Sequence, residues 1–277
     1  VLVEHNVEYL VYQRYVANTA KIYLRPLLMI DILKLKNTEK KFWKQATKLV
    51  AVSEKEKEVM TRKDVVVVPN GVDLTNFKYQ ISNIKWKRKI KKILFIGDYK
   101  WIQNRQALEY ILKEVYPIIS SQFKVHSSKL QLWIVGKNIP EELKALGNDS
   151  VIFDENAPDE TWKIYQQADV LLAPIHVGGG TSYKILESMA TGLPVVTTQL
   201  GIEGIGAKPN KEVLIGETAD ELANHVMTLL QDKEVYEKMT QEAELHAKED
   251  EEKKTAIEAR NHADALLFTS EKALKDA

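Results

Sequence analysis

Apolar positions along the chain fall into short β-branched runs separated by longer stretches with helical spacing. Val1–Val3 reads as a strand. Glu4–Leu35 is mostly helical in pattern and is expected to break near Arg25-Pro26, because proline lacks a backbone donor and disfavours helix just before it. A further helix is expected over Glu39–Thr47 and a strand over Leu49–Val52. Ser53 with Glu56 makes a capping box that opens a helix over Glu54–Arg62. Four β-branched residues in a row, Val65–Val68, predict a parallel strand buried on both faces, closed by the turn Pro69-Asn70-Gly71.

Leu74–Lys92 interrupts this rhythm with a polar run that gathers Lys85, Lys87, Arg88, Lys89, Lys91 and Lys92. A nucleic-acid patch and a solvated interdomain linker both suit it, and the neutrality of the whole chain favours the linker. Alternation then resumes. Strands are expected over Ile93–Ile96, Leu130–Val135, Val151–Phe153, Val170–Ala173, Val195–Thr198 and Val213–Ile215. The intervening helices are Asn104–Ser120, Glu141–Leu146, Glu160–Gln167 and Thr181–Thr191, the last closed by Gly192 and Pro194. Strands alternating with helices indicate a doubly wound parallel sheet, in which ligands sit at the carboxyl ends of the strands. From Ala219 the chain reads as helix, with an apolar face of Leu222, Val226, Leu229 and Leu230. Beyond Gln241 it becomes highly charged, with a narrow stripe of Ala256, Ala263, Leu267 and Leu274.

Charge and composition narrow the classes. Lys plus Arg number 39 and Asp plus Glu number 39 in 277 residues, so no net field draws in nucleic acid or anionic lipid. The absence of cysteine excludes disulfides, thiolate metal sites and a cysteine nucleophile. With no bilayer-length apolar run and no signal peptide, a cytoplasmic location is expected. The chain opens without an initiating methionine, on what reads as a strand already under way, and a fragment of a longer protein is therefore expected.

The chemistry concentrates in Pro174-Ile175-His176-Val177-Gly178-Gly179-Gly180-Thr181-Ser182-Tyr183-Lys184-Ile185-Leu186-Glu187. Three glycines between strand and helix let backbone approach a ligand, and the following helix offers unpaired N–H groups and the positive end of its dipole to a phosphate or diphosphate. Thr181 and Ser182 add hydroxyl donors and Lys184 a point charge. Glu187 lies one turn on, where a carboxylate can accept both hydroxyls of a ribose. By spacing alone a glycine-rich turn with a Lys–Glu surface pair is an equal alternative. The pattern is neither a Walker loop nor the dinucleotide fingerprint Gly-x-Gly-x-x-Gly.

Gly178 to Thr198, continuing to Gly201-Ile202-Glu203-Gly204, resembles the signature of the group 1 (GT-B fold) glycosyltransferases. His5-Asn6-Val7-Glu8, Val50-Ala51-Val52-Ser53, Val67–Asp73, Phe95-Ile96-Gly97 with Asn104, and Ala168–Pro174 match further motifs in the same order. The resemblance covers about residues 1–240. It implies a GT-B type α/β fold: the C-terminal part of a truncated acceptor-side domain over 1–78, a basic linker over 79–92, and a Rossmann-like nucleotide-sugar donor domain over 93–240. A helical tail follows over 241–277.

Carried over position by position, Gly97, Gly178, Gly179, Gly180, Thr181, Ser182 and Lys184 would hold the donor diphosphate, and Glu187 would bind the ribose. Lys184 would stabilise the leaving diphosphate. His5 falls where the family places an acceptor-side polar residue near the transferred sugar, and a helix-start histidine with no chemical role is its alternative. The activity implied is transfer from a nucleotide-diphosphate sugar to a carbohydrate or lipid-linked acceptor, with retention. No cofactor, no metal and no nucleic acid are implied, and no Asp-x-Asp motif occurs. Peripheral membrane contact would fall to a missing N-terminal half. Two departures stand out. Gly179 replaces the first of two glutamates that many members space eight apart, and His176 and Ser182 stand where a glycine-rich subgroup often carries arginine. A non-catalytic nucleotide-sugar-binding module, a helical interaction protein and a sugar-nucleotide epimerase are the rival readings. The helical interaction protein is a rival because Glu242–Asp250 and Ala259–Asp276 resemble the helical lid of the DnaK-type heat-shock chaperones.

Overall fold

The apolar runs become parallel strands in two sheets. The computed structural model describes residues 1–19, 21–73, 88–123, 128–242 and 245. The first unit comprises β1 (Leu2–Glu4), α1 (Glu8–Thr19), α2 (Arg25–Gln45), β2 (Leu49–Ala51), α3 (Glu54–Met60) and β3 (Val65–Val67), its strands parallel in the order β1-β2-β3. Trp43, Leu49, Ala51 and Met60 fill its core. Ser53 Oγ accepts the Glu56 N–H at 3.2 Å, and Glu56 Oε2 accepts the Val52 N–H at 3.2 Å, so the expected cap opens α3.

The break expected near Arg25-Pro26 is present: helix ends at Thr19 and resumes at Arg25, with Pro26 in the first turn of α2. A proline there gives up a donor that has no intrahelical partner anyway. α2 then runs unbroken to Gln45, through the gap expected before Glu39. Nor is the valine run buried on both faces. Val65 points inward, while Val66 and Val68 are 53% and 55% exposed at the end of the three-stranded sheet. β-branching signals a strand but not which of its faces is covered.

The second unit holds β4 (Ile90–Ile96), α4 (Ile102–Tyr110), α5 (Tyr116–Gln122), β5 (Lys129–Val135), α6 (Glu141–Lys144), β6 (Val151–Asp154), α7 (Thr161–Tyr165), β7 (Val170–Ala173), α8 (Tyr183–Ala190), β8 (Val195–Thr197), β9 (Leu214–Ile215) and α9 (Ala219–Gln231). A π-helical segment, Ile111–Val115, joins α4 to α5. All six strands run parallel in the order β6-β5-β4-β7-β8-β9. Alternate strand residues feed two cores. Ile93, Phe95, Leu132, Leu172 and Val196 pack under α4, α5 and α9, while Leu94, Trp133, Leu171 and Val195 pack under α7 and α8. Both faces are thus covered, which is why these strands read as continuous apolar runs.

β4 starts three residues before the expected strand, so Lys91 and Lys92 belong to the sheet and not to a solvated linker. Arg88 is tied down as well. Its guanidinium donates to the Gln166 and Gln167 carbonyls at 2.7 Å each and lies 3.8 Å from Asp169. The rest of the basic run, residues 74–87, lies outside the described residues, as does the chaperone-like tail apart from 241, 242 and 245.

Leu172 in β7 has no exposed surface, so Leu172→Ala is expected to lower the unfolding free energy by ~2–5 kcal/mol. Val66→Ala, on an exposed strand face, should change it by no more than ~0.5 kcal/mol. Equilibrium urea unfolding reads both values.

Candidate functional site

β4 and β7 are neighbours in the sheet, yet the chain leaves β4 towards β5 and β6 and leaves β7 towards β8 and β9. Their carboxyl ends therefore open the crevice at which sheets of this kind take ligands. α8 starts there. Its N-cap position is Ser182, whose side chain makes no capping hydrogen bond to the first turn. The helix begins two residues later than the sequence pattern suggests, which leaves Thr181 and Ser182 in the loop. Thr181 Oγ1 is buried and has no hydrogen-bond partner among the described residues.

Lys184 and Glu187 do not form the surface pair that spacing alone left open. Lys184 Nζ donates to Asn104 Oδ1 of α4 at 2.6 Å and lies 4.6 Å from the centre of the Phe95 ring. Burial with no carboxylate beside it pushes the Lys184 ammonium down to about 7. Glu187 turns to α7 instead. Its Oε2 accepts the Tyr165 hydroxyl at 2.8 Å and its Oε1 the Thr161 hydroxyl at 3.2 Å. Burial raises the Glu187 carboxyl above its ordinary value, and the two hydroxyl donors oppose that shift. Each carboxylate oxygen keeps acceptor capacity for one more donor.

The glycine loop is packed against the first unit. Gly178 and Gly180 have φ of +155° and +66°, values that L side chains rarely adopt. On the Cβ side of Gly179 and Gly180 the first unit comes close to the loop. A Cβ at Gly179 would lie 2.9 Å from Val11 Cγ2, and one at Gly180 would overlap the His5 carbonyl and the Asn6 side chain. His5 meets the loop through its backbone, with its residue surface exposed. Gly97 likewise makes room for protein: a Cβ there would lie 2.7 Å from Asn104 Nδ2. His176 packs edge-on against Tyr110, ring centres 4.8 Å apart.

The family described as glycosyl transferases, group 1, matches residues 90–232, which is more than half of the chain. The chain belongs to the group 1 glycosyl transferases. A curated relative, an uncharacterised 44.6 kDa protein in the cps region of Klebsiella pneumoniae, is 25% identical over 232 residues; the match covers 80% of this chain and 57% of that protein. This transferase chain thus spans little more than half the length of the relative. A sucrose-phosphate synthase from Thermosynechococcus elongatus superposes with a TM-score of 0.67 at 18% identity, covering 95% of this chain and 67% of that one. WaaG, a glycosyltransferase involved in lipopolysaccharide biosynthesis, gives 0.66 at 20% identity over 86% of this chain and 68% of its own. Anabaena HepE in complex with UDP and glucose gives 0.60 at 14% identity, over 89% and 66%. At these identities the likeness shows the fold: a parallel-sheet α/β architecture of GT-B type.

In this glycosyl transferase the two units are also joined by polar contacts that the sequence did not announce. Arg14 of α1 donates through one guanidinium nitrogen to the Gly178 carbonyl at 2.6 Å, and through the other to Glu203 at 3.1 and 3.3 Å. Lys55 of α3 pairs with the same carboxylate at 3.0 Å. Asn18 donates to the His176 carbonyl at 3.2 Å. Arg14, Lys55 and Glu203 line a cavity of about 410 Å³ between the units, and neither Lys184 nor Glu187 reaches it. Arg14 lies 189 residues from Glu203 with no motif around it, so nothing in the sequence paired them. Among the described residues no three metal-ligating side chains gather, and no helix is long and apolar enough to cross a membrane.

Glu203→Gln removes the charge that both cations share while keeping its size. Amide exchange over 176–180 is expected to quicken about fivefold, as for ~1 kcal/mol of partly screened pairing. Asp31→Asn, in an exposed pair with Lys34, should leave that exchange unchanged.

Proposed function

We propose that this chain binds a nucleoside-diphosphate sugar in the crevice between β4 and β7, for transfer of the sugar to a carbohydrate or lipid-linked acceptor offered by the first unit. The observation that carries the reading is Lys184. Its part-buried ammonium has, among the described residues, a neutral hydrogen-bond partner and an aromatic face but no counter-charge, beside a helix start that the Ser182 side chain does not cap. A diphosphate supplies what that arrangement lacks. Glu187, one turn along α8 and steadied by Tyr165 and Thr161, has the free acceptor capacity to take the ribose hydroxyls. The fold neighbour from Anabaena, whose structure holds UDP and glucose, supports the class of donor.

The chemistry asked of the protein is modest. As the bond from the anomeric carbon to the diphosphate breaks and the acceptor oxygen bonds to that carbon, negative charge grows on the departing diphosphate. The acceptor hydroxyl releases its proton to that diphosphate. Lys184 and the first N–H groups of α8 stabilise the growing charge in a site with little water to reorganise. This route needs no metal, and in this reading transfer proceeds with retention, as the family likeness implies.

Calorimetric titration of the chain with UDP, GDP, ADP and TDP tests the proposal. One of them should bind, and Lys184→Met and Glu187→Ala should each weaken it about 10- to 100-fold, the range for losing a hydrogen bond to a charged group. Undiminished affinity in both variants rules the reading out.

A further inference from the structure

Lys184 and Asn104 stand 80 residues apart in sequence and come from opposite sides of the crevice, one on the helix after β7 and the other on the helix after β4. The orientation of the amide is decided at both ends. Its Nδ2 donates to the Asp98 carbonyl at 2.8 Å, which leaves Oδ1 for the ammonium. Asn104 is 8% exposed, and the absence of a side chain at Gly97 gives it its place.

The charged groups of the neighbourhood are turned elsewhere. The Asp98 carboxylate accepts the Lys100 N–H and the Asn138 amide, each through hydrogen bonds to Oδ1. Glu187 on the same helix is engaged with Tyr165 and Thr161. Phe95 from β4 brings only its ring face. Among the described residues burial alone displaces the Lys184 pKa, with no contribution from a neighbouring charge.

We propose that Asn104 is a positioning residue for the donor, whose neutral carbonyl holds the Lys184 ammonium at the start of α8 without neutralising it, so that the incoming diphosphate meets an uncompensated charge. This rests on the donor reading given above. A carboxylate of the same shape would hold the lysine as firmly and would also satisfy it. The diphosphate would then have to displace a partner instead of completing one. Asparagine separates the two tasks of anchoring and charge compensation, and Gly97 serves the lysine at second hand by admitting the amide.

The proton balance follows. In the free chain Lys184 loses its proton as pH rises through about 7, while a bound diphosphate favours the charged form. A terminal phosphate with a second pKa near ~6 stays ionised over that range, so the lysine is the titrating partner. Binding above neutrality therefore takes up a proton, and affinity falls as pH rises, by at most about tenfold per pH unit.

The test is titration of the full chain with UDP, with GDP and ADP in parallel, at pH 7, 8 and 9. The unaltered chain should weaken towards the tenfold-per-unit limit. Asn104→Asp should bind about tenfold or more weakly at pH 7 and lose most of its pH slope, because the new carboxylate keeps the lysine charged. Asn104→Ala and Gly97→Ala should weaken binding but keep the slope, since the lysine loses its anchor and gains no counter-charge. Thermal midpoints identify any variant that has lost its fold, and the alanine pair carries the test if Asn104→Asp is unstable. Asn104→Asp with unaltered affinity and slope overturns the inference, as do Asn104→Ala and Gly97→Ala with unaltered affinity. Lys184→Met separates the two levels. If it also binds normally the donor reading goes too, and if it loses binding only the role of Asn104 is lost.

Discussion

An ammonium partly buried against a ring face and one amide carbonyl is a costly group to keep charged, and the second unit is arranged so that Lys184 is such a group. The sheet order puts α4 and α8 on either side of the β4–β7 divide, which brings Asn104 and Lys184 within 2.6 Å. Phe95, fully buried in the core under α4, doubles as the apolar wall. Each of those placements depends on strands buried on both faces. Loosening the sheet core would therefore admit water to the lysine as well as lower stability, and fold and site share one set of contacts.

The second constraint is that the glycine loop is shaped from outside its own unit. Arg14 and Asn18 hold the carbonyls of Gly178 and His176, while Val11, the His5 carbonyl and the Asn6 side chain lie beside Gly179 and Gly180. Thr198 secures the other side by donating to the Ile175 carbonyl. A loop braced from both sides keeps its positive-φ residues in place without a ligand, which lowers the ordering cost of binding. The carboxylate of Glu203 links the same helix α1 and the start of α3 to the turn after β8. Movement of the first unit and the conformation of the loop are thereby coupled through identifiable hydrogen bonds.

Much of this was legible in the residues. Strands of the second unit announced themselves because both faces are covered, and Gly192 with φ of +64° ends α8 as a helix-closing glycine should. The positions of Lys184 and Glu187 on one short helix followed from spacing. What spacing could not supply was the third dimension. Whether Lys184 faced Glu187 or Asn104 depended on how α4 packs, and that is a matter of sheet order. Val66 and Val68 looked core-like because β-branching reports backbone preference and not coverage. The contacts of Arg14 and Lys55 with Glu203 join segments with no shared periodicity, so no local pattern could reveal them.

Two departures from the family pattern become intelligible together. A glutamate at position 179 would have to displace Val11, whose methyl lies 2.9 Å from where its Cβ would stand. The glycine there is matched by an apolar residue from the facing unit, so the change is accommodated on both sides of the interface. With the His176 ring edge-on to Tyr110 and Ser182 short and uncapping, neither position supplies the guanidinium that related loops often carry. In the donor reading proposed above, the charge that meets the diphosphate then falls to Lys184, and such a charge serves best when nothing else has claimed it. A carboxylate partner would be tolerable where arginines share the load; in the reading proposed here the neutral Asn104, bonded to Lys184, is the partner that leaves its charge available.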